Sequence, residues 1–273
     1  MKYWISIFCL SGVLAGAALA QDAVLRSLQS GDDASPWEAV GRLDIGGSSF
    51  CTGALIAPDL VLTAAHCLFN KKTGARIDEG TFQFLAGWRN GRASAYRSVK
   101  RVAVHPEYAF SGEVSSKRVR NDLALLELDH AIRNTTIMPF DTSTRPIKGQ
   151  RVGVVSYARD RSNAPSLQEV CTVLGHQDGV LITSCSVDFG ASGAPIFSFA
   201  DGTAQIVSVV SAKAEVNGKG VSLGTDLAKP LAQLRAELER TDGVFQSIMP
   251  TTSRDSSDKR RSTGGAKFVK PKG

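Results

Sequence analysis

No CxxC pair occurs anywhere in the chain, and only four histidines are scattered along its 273 residues. A zinc site therefore has no plausible ligand set, and neither a metal nor another cofactor is expected. Beyond the first twenty residues no run approaches the ~20 apolar residues that a membrane-spanning helix requires, so no transmembrane segment is expected. Helical periodicity is equally scarce. One long pattern occurs, Asp226 to Arg240, where Leu227, Leu231, Leu234 and Leu238 recur at helix spacing and read as a core-docking face. Elsewhere short apolar runs alternate with turn residues among 26 glycines, which points to an all-β architecture of many short strands. Charge of one sign is missing from the body of the chain. Residues 21–245 are neutral overall, which argues against a dedicated nucleic-acid groove. No internal repeat is present.

The first twenty residues have the form of an export signal: Lys2, an apolar run from Ile5 to Leu14, and Ala18-Leu19-Ala20 as a small-residue cleavage site. A Sec-type signal peptide cleaved after Ala20 implies a secreted or periplasmic protein. Four cysteines then remain, Cys51, Cys67, Cys171 and Cys185, an even count that suits two disulfides in an oxidising compartment. Three pairings are open, and sequence spacing favours the local ones, 51–67 and 171–185. From Gln246 onward seven basic and two acidic residues supply the whole +5 that remains once Lys2 is removed. This tail, 246–273, is rich in Ser, Thr, Gly and Pro and reads as disordered. It is a candidate contact for anionic surfaces, with a functionless solvated extension as the alternative.

Within "DFGASGAPIF", Asp188 to Phe197, Ser192 sits among small residues. A serine hydroxyl is a poor nucleophile until a base takes its proton, and that base needs an orienting carboxylate. His66, His105, His130 and His176 all precede Ser192, which excludes the order in which the histidine comes last. His66 follows an apolar lead-in and two alanines in "VLTAAHCLF", and a Cys51–Cys67 bridge would tie its loop to the preceding strand. The stretch "FCTGALIAPDLVLTAAHC" resembles the histidine segment of trypsin-like (chymotrypsin-fold) serine peptidases. "VAVHPEY", "NDLALLEL", "SVVSAK" and "KGVSLGTDL" are similar to later segments of the same family at the expected intervals, so the resemblance spans roughly residues 35–240.

What the resemblance implies is an all-β fold of two packed six-stranded antiparallel β-barrels with a C-terminal helix, the peptidase domain occupying residues 21–245. His66 would be general base and then acid, Asp122 its orienting partner and Ser192 the nucleophile. Ser211 would support Asp122, and the Gly190 and Ser192 amides would form an oxyanion hole worth roughly 3 kcal/mol to the transition state. The implied assembly is a monomer acting on protein or peptide substrates. By offset from Ser192, the base of the substrate pocket falls near Ser186, with Val210 on the cleft strand and Lys213 at the rim. No acid marks a preference for Arg or Lys. Trypsin-like zymogens carry an aspartate immediately before the nucleophile, which pairs with a new N-terminal amine on activation. Here that residue is Ala191, so some other device must hold the loop. Members related to glutamyl endopeptidases share this lack. Two alternatives stay open at this stage: a removable prosegment from Gln21 to about Pro36, and a latent or silent member of the fold that binds proteins or anionic surfaces.

Overall fold

The computed structural model describes residues 25–110, 113–143, 146–200 and 202–244. The expected leader (1–20) and basic tail (246–273) lie outside the described residues.

A two-residue strand, β1 (Arg26–Ser27), opens the described chain, followed by a one-turn helix α1 (Gly31–Ala34) capped by Ser30. Six strands then close a first barrel: β2 (Val40–Ile45), β3 (Ser49–Ala57), β4 (Leu60–Thr63), β5 (Phe82–Ala86), β6 (Ala95–Val104) and β7 (Ala124–Leu128), in the order β2-β3-β4-β7-β6-β5. A short helix, α2 (Ser116–Arg120), lies between β6 and β7. The second barrel contains β8 (Arg151–Ala158), β9 (Arg161–Gln177), β10 (Val180–Thr183), β11 (Pro195–Ser198), β12 (Gln205–Val216) and β13 (Lys219–Asp226). Its order is β9-β10-β13-β12-β11-β8, and pairing of β8 with β9 closes it. All pairings between these strands are antiparallel, and the two six-stranded barrels are those the resemblance implies.

Two tight turns set the long hairpins of the second barrel. Asp178 and Gly179 (φ 52° and 81°) connect the paired Gln177 and Val180, and Asn217 and Gly218 (φ 52° and 72°) connect Val216 and Lys219. Two consecutive positive φ values match the right-handed twist of the flanking strands, which is why Asx-Gly occupies both turns. Aromatic packing joins the halves: Trp37 lies 5.0 Å from Phe197 of β11, and Phe140 lies 4.7 Å from the same ring. The last helix, α3, spans Ala228–Val244, so it starts two residues later than the leucine spacing suggests because Asp226 still belongs to β13. Leu227, Leu231, Leu234 and Leu238 are buried, and α3 returns to the first barrel, where Arg101 donates to the Leu238 carbonyl.

The segment proposed as removable meets a physical obstacle. Arg26 and Ser27 pair with Leu167 and Ser166 of β9, and the Leu28 amide donates to the Pro165 carbonyl at 2.9 Å. Leu28 is fully buried. Cutting within this segment, for instance after the basic Arg26, would need this strand to unpair, and loss of the segment through Pro36 would open the core at Leu28 and Ala34.

Cys51 is bridged to Cys67 and Cys171 to Cys185, with Cα separations of 6.3 and 4.9 Å, inside the range a disulfide accepts. Peptide mapping of unreduced protein should therefore return these two pairs and no free thiol among the four. Replacing Cys51 and Cys67 by alanine should lower stability by about 2–4 kcal/mol in denaturant titration. Crossed pairing would contradict the framework.

Candidate active site

Strand register brings His66 to Asp122. β4 pairs with β7 with Thr63 opposite Ala124, so the residues just beyond Thr63 meet those just before Ala124. Past Thr63 the chain enters a tight turn, Ala65–Leu68; Ala64 before it and Ala65 within it are fully buried, and Cys67 is tied back to β3. Small side chains are needed there because the backbone packs directly against its neighbours. Asn121 caps α2, and Asp122 follows it. The Asp122 carboxylate is 1% exposed, a position that would cost several kcal/mol without partners. It has three donors. The His66 backbone N–H reaches Oδ1 at 2.8 Å, His66 Nδ1 lies 2.7 Å from Oδ2, and the Ser211 hydroxyl makes a short bond to Oδ2. With the Nδ1 proton held by the carboxylate, Nε2 presents its lone pair on the other side of the ring. Burial and the Asp122 charge push the nearby Tyr108 hydroxyl up to about 12.

Ser192 lies in a loop whose glycines are required by space as well as by φ. Gly190 has φ 103°, and a Cβ there would stand 2.6 Å from the Phe50 ring and 2.9 Å from Ala158 Cα. Gly193 has φ 78°, and its Cβ would fall 2.1 Å from Thr63 Oγ1 and 2.3 Å from the Thr52 carbonyl. Ala191 is fully buried. Among the described residues no acceptor takes the N–H of Gly190 or Ser192.

His66 and Ser192 line one cavity of about 340 Å³ at the surface, together with Val210, Ser211, Ala212 and Lys213 of β12. No hydrogen bond joins His66 to the Ser192 hydroxyl among the described residues. In free enzymes such bonds are often long and tighten with substrate. His105, His130 and His176 are not part of this lining. His105 bonds Gln233 at 2.8 Å and His176 the Pro146 carbonyl at 2.6 Å.

Ser186, expected at the base of the pocket, is exposed and outside the cavity lining, its amide bonded to Gln168 Oε1 at 2.8 Å. An acid does line the cleft. Lys213 Nζ lies 3.1 Å from Asp188 Oδ1 and 4.8 Å from the exposed Phe189 ring. The Phe189 amide and Lys213 hold the Asp188 carboxyl below its ordinary range. Lys71 and Arg118 add two cations to the same lining. Sequence reasoning placed Lys213 at the rim but missed Asp188, Phe189, Lys71 and Arg118. Asp188 and Phe189 belong to the stretch that contains Ser192, which was the available signal. Lys71 and Arg118 are brought in by folding.

Residues 51–205 match a family model described as trypsin-like peptidase domain. The chain is 26% identical over 165 residues, 60% of its length, to a glutamyl endopeptidase of Bacillus licheniformis, and it covers 50% of that protein. It is 37% identical over 107 residues, 38% of its length, to vitamin K-dependent protein C of Rattus norvegicus, covering 21% of it. It thus spans about half the length of the first curated relative, or less of the other. Among solved structures, a Glu endopeptidase in complex with MPD superposes with a TM-score of 0.65 at 19% identity, over 80% of this chain and 97% of the other. A thermostable serine protease from an extremophilic microorganism gives 0.61 at 16% identity, over 76% and 99%. With more than half of its residues inside the family match and the two-barrel fold of its structural neighbours, the chain belongs to the trypsin-like peptidase family.

Proposed function

We propose that the chain is a secreted serine endopeptidase acting through His66, Asp122 and Ser192. One observation carries this reading: a buried Asp122–His66 pair opens on a cleft shared with Ser192, where the Gly190 and Ser192 amides have no acceptor among the described residues. In the proposed cycle Ser192 Oγ attacks the peptide carbonyl carbon while His66 Nε2 takes its proton. The oxyanion forms against the Gly190 and Ser192 N–H groups. The imidazolium, stabilised by Asp122, passes its proton to the leaving amine as the C–N bond breaks. Water then attacks the acyl group, its proton goes to His66, and the acid product leaves as Ser192 regains its hydrogen. No metal enters the proposed cycle.

Proteins or peptides are the proposed substrates. Asp188 faces Lys213, so its charge is engaged and does not favour Arg or Lys in the pocket. Two disulfides suit an oxidising compartment, which supports export by the leader.

Labelling with a serine-directed fluorophosphonate tests the reading. Wild type should label at one site with loss of fluoride, and Ser192→Ala should not label. A folded wild type that stays unlabelled, or a Ser192→Ala variant labelled equally, would overturn it.

A further inference from the structure

The carbonyls of Asp188 to Ser192 all have donors. Asp188 accepts from the Ala191 N–H at 2.9 Å, Phe189 from Arg159 N–H at 2.8 Å, Ala191 from Ala194 N–H at 3.0 Å, and Ser192 from Thr52 N–H at 2.8 Å. The Gly190 carbonyl accepts from the Thr52 hydroxyl at 3.0 Å. Four of these five anchors are backbone groups that any sequence would supply. Only the Gly190 anchor is a side chain, and it comes from β3 of the opposite barrel.

Thr52 is fully buried, and its hydroxyl both donates and accepts. It donates to Gly190 and accepts from the Tyr157 backbone N–H of β8 at 3.1 Å. Its own carbonyl accepts the Thr63 hydroxyl at 2.8 Å. One residue thus joins three parts of the site: the loop after Asp188, strand β8, and the β4 end that leads into the His66 turn.

Peptide planarity turns this contact into a directional one. The carbonyl of Phe189 and the N–H of Gly190 share a plane and point opposite ways, so Arg159 sets where the Gly190 N–H points on one side. The carbonyl of Gly190 and the N–H of Ala191 share the next plane, held by the Thr52 hydroxyl at the carbonyl and by the Asp188 carbonyl at the N–H. Gly190 has no side chain to restrict rotation between the two planes, so anchors on both planes set its torsions and keep the first plane, with its N–H, on the cleft side. Buried Ala191 has no carboxylate with which to anchor this loop.

We propose that Thr52 is a positioning residue: by holding the Gly190–Ala191 plane at the Gly190 carbonyl, its hydroxyl limits the rotation about Gly190 that would turn the adjoining Gly190 N–H away from the oxyanion. This rests on the peptidase reading above, which wild-type labelling and turnover decide separately.

The test compares Thr52→Val, Thr52→Ala and Thr52→Ser. Valine keeps the volume and removes the hydroxyl, alanine leaves room for a bridging water, and serine keeps the hydroxyl. Expected kcat on a peptide amide falls about 10–100-fold for valine, less for alanine, and stays within about threefold for serine, with KM nearly constant. Packing alone would rank valine best. Amide exchange of the 188–194 segment should rise in valine and remain native-like in serine, a readout that needs no turnover. If valine does not fold, alanine against serine decides the same question. Unchanged kcat in a folded valine or alanine variant, or a serine variant as impaired as valine, would overturn the proposal.

Discussion

Replacing Ser192 by alanine is expected to reduce kcat on a peptide or ester substrate by about 10⁶-fold, roughly 8 kcal/mol of transition-state stabilisation. The size follows from interdependence. His66 has nothing to deprotonate once Oγ is gone, and Asp122 then orients a base without a task, so one deletion removes the whole covalent route. The two amides of Gly190 and Ser192 survive and leave a residual rate of about 10³ over water. Folding should not suffer. No hydrogen bond of the Ser192 hydroxyl to another described residue holds the loop, whose carbonyls are anchored independently. Thermal unfolding within about 2 °C of wild type should accompany the kinetic loss. A folded variant that retains turnover within tenfold would remove Ser192 from the mechanism and leave only the fold.

Much of this site could be read before any coordinates, but through two different routes. The even cysteine count and the neutral body follow from composition alone. The approach of His66 to Asp122, 56 residues away, does not, because nothing in periodicity pairs them. Matching whole segments to a family did that, and β4–β7 register is the physical reason those segments meet. The leucine repeat near the C-terminus marked a real helix, while its start slipped because β13 runs through Asp226 before the chain turns.

Other features were illegible for reasons of range. Arg26–Ser27 pairs across about 140 positions with β9, and two residues give no alternation to read. Thr52 and Gly190 are 138 residues apart, and a threonine within an apolar strand reads as ordinary β propensity. Asp188 opens the stretch that contains Ser192 yet gave no sign of its role, since the Lys213 contact depends on how the loop and β12 sit. The offset that put Ser186 in the pocket assumed a loop of standard shape. Its amide is instead bonded to Gln168 of β9.

Asp122→Asn is the second large effect expected, about 10⁴-fold in kcat, and the hydrogen bonds around the carboxylate determine why. Oδ1 accepts the backbone N–H of His66 at 2.8 Å, and a backbone amide can only donate. An asparagine in this place must therefore keep its carbonyl oxygen on that side. Its NH₂ then occupies the Oδ2 position, facing His66 Nδ1 and the Ser211 hydroxyl. Nδ1 can meet an N–H donor only as an acceptor, so the imidazole proton moves to Nε2. The nitrogen directed to the cleft then has no lone pair for the Ser192 proton, and the imidazolium that forms in the transition state loses its counter-charge. Size and shape are nearly unchanged, so the fold should remain, and the Ser211 hydroxyl can rotate to accept where it formerly donated. Fluorophosphonate labelling should slow in step with kcat while substrate KM changes little. A structure of the variant should show the imidazole in place, with the side-chain amide in the stated orientation. An asparagine variant within tenfold of wild type would mean that the Asp122 charge and the His66 tautomer are not what activates Ser192.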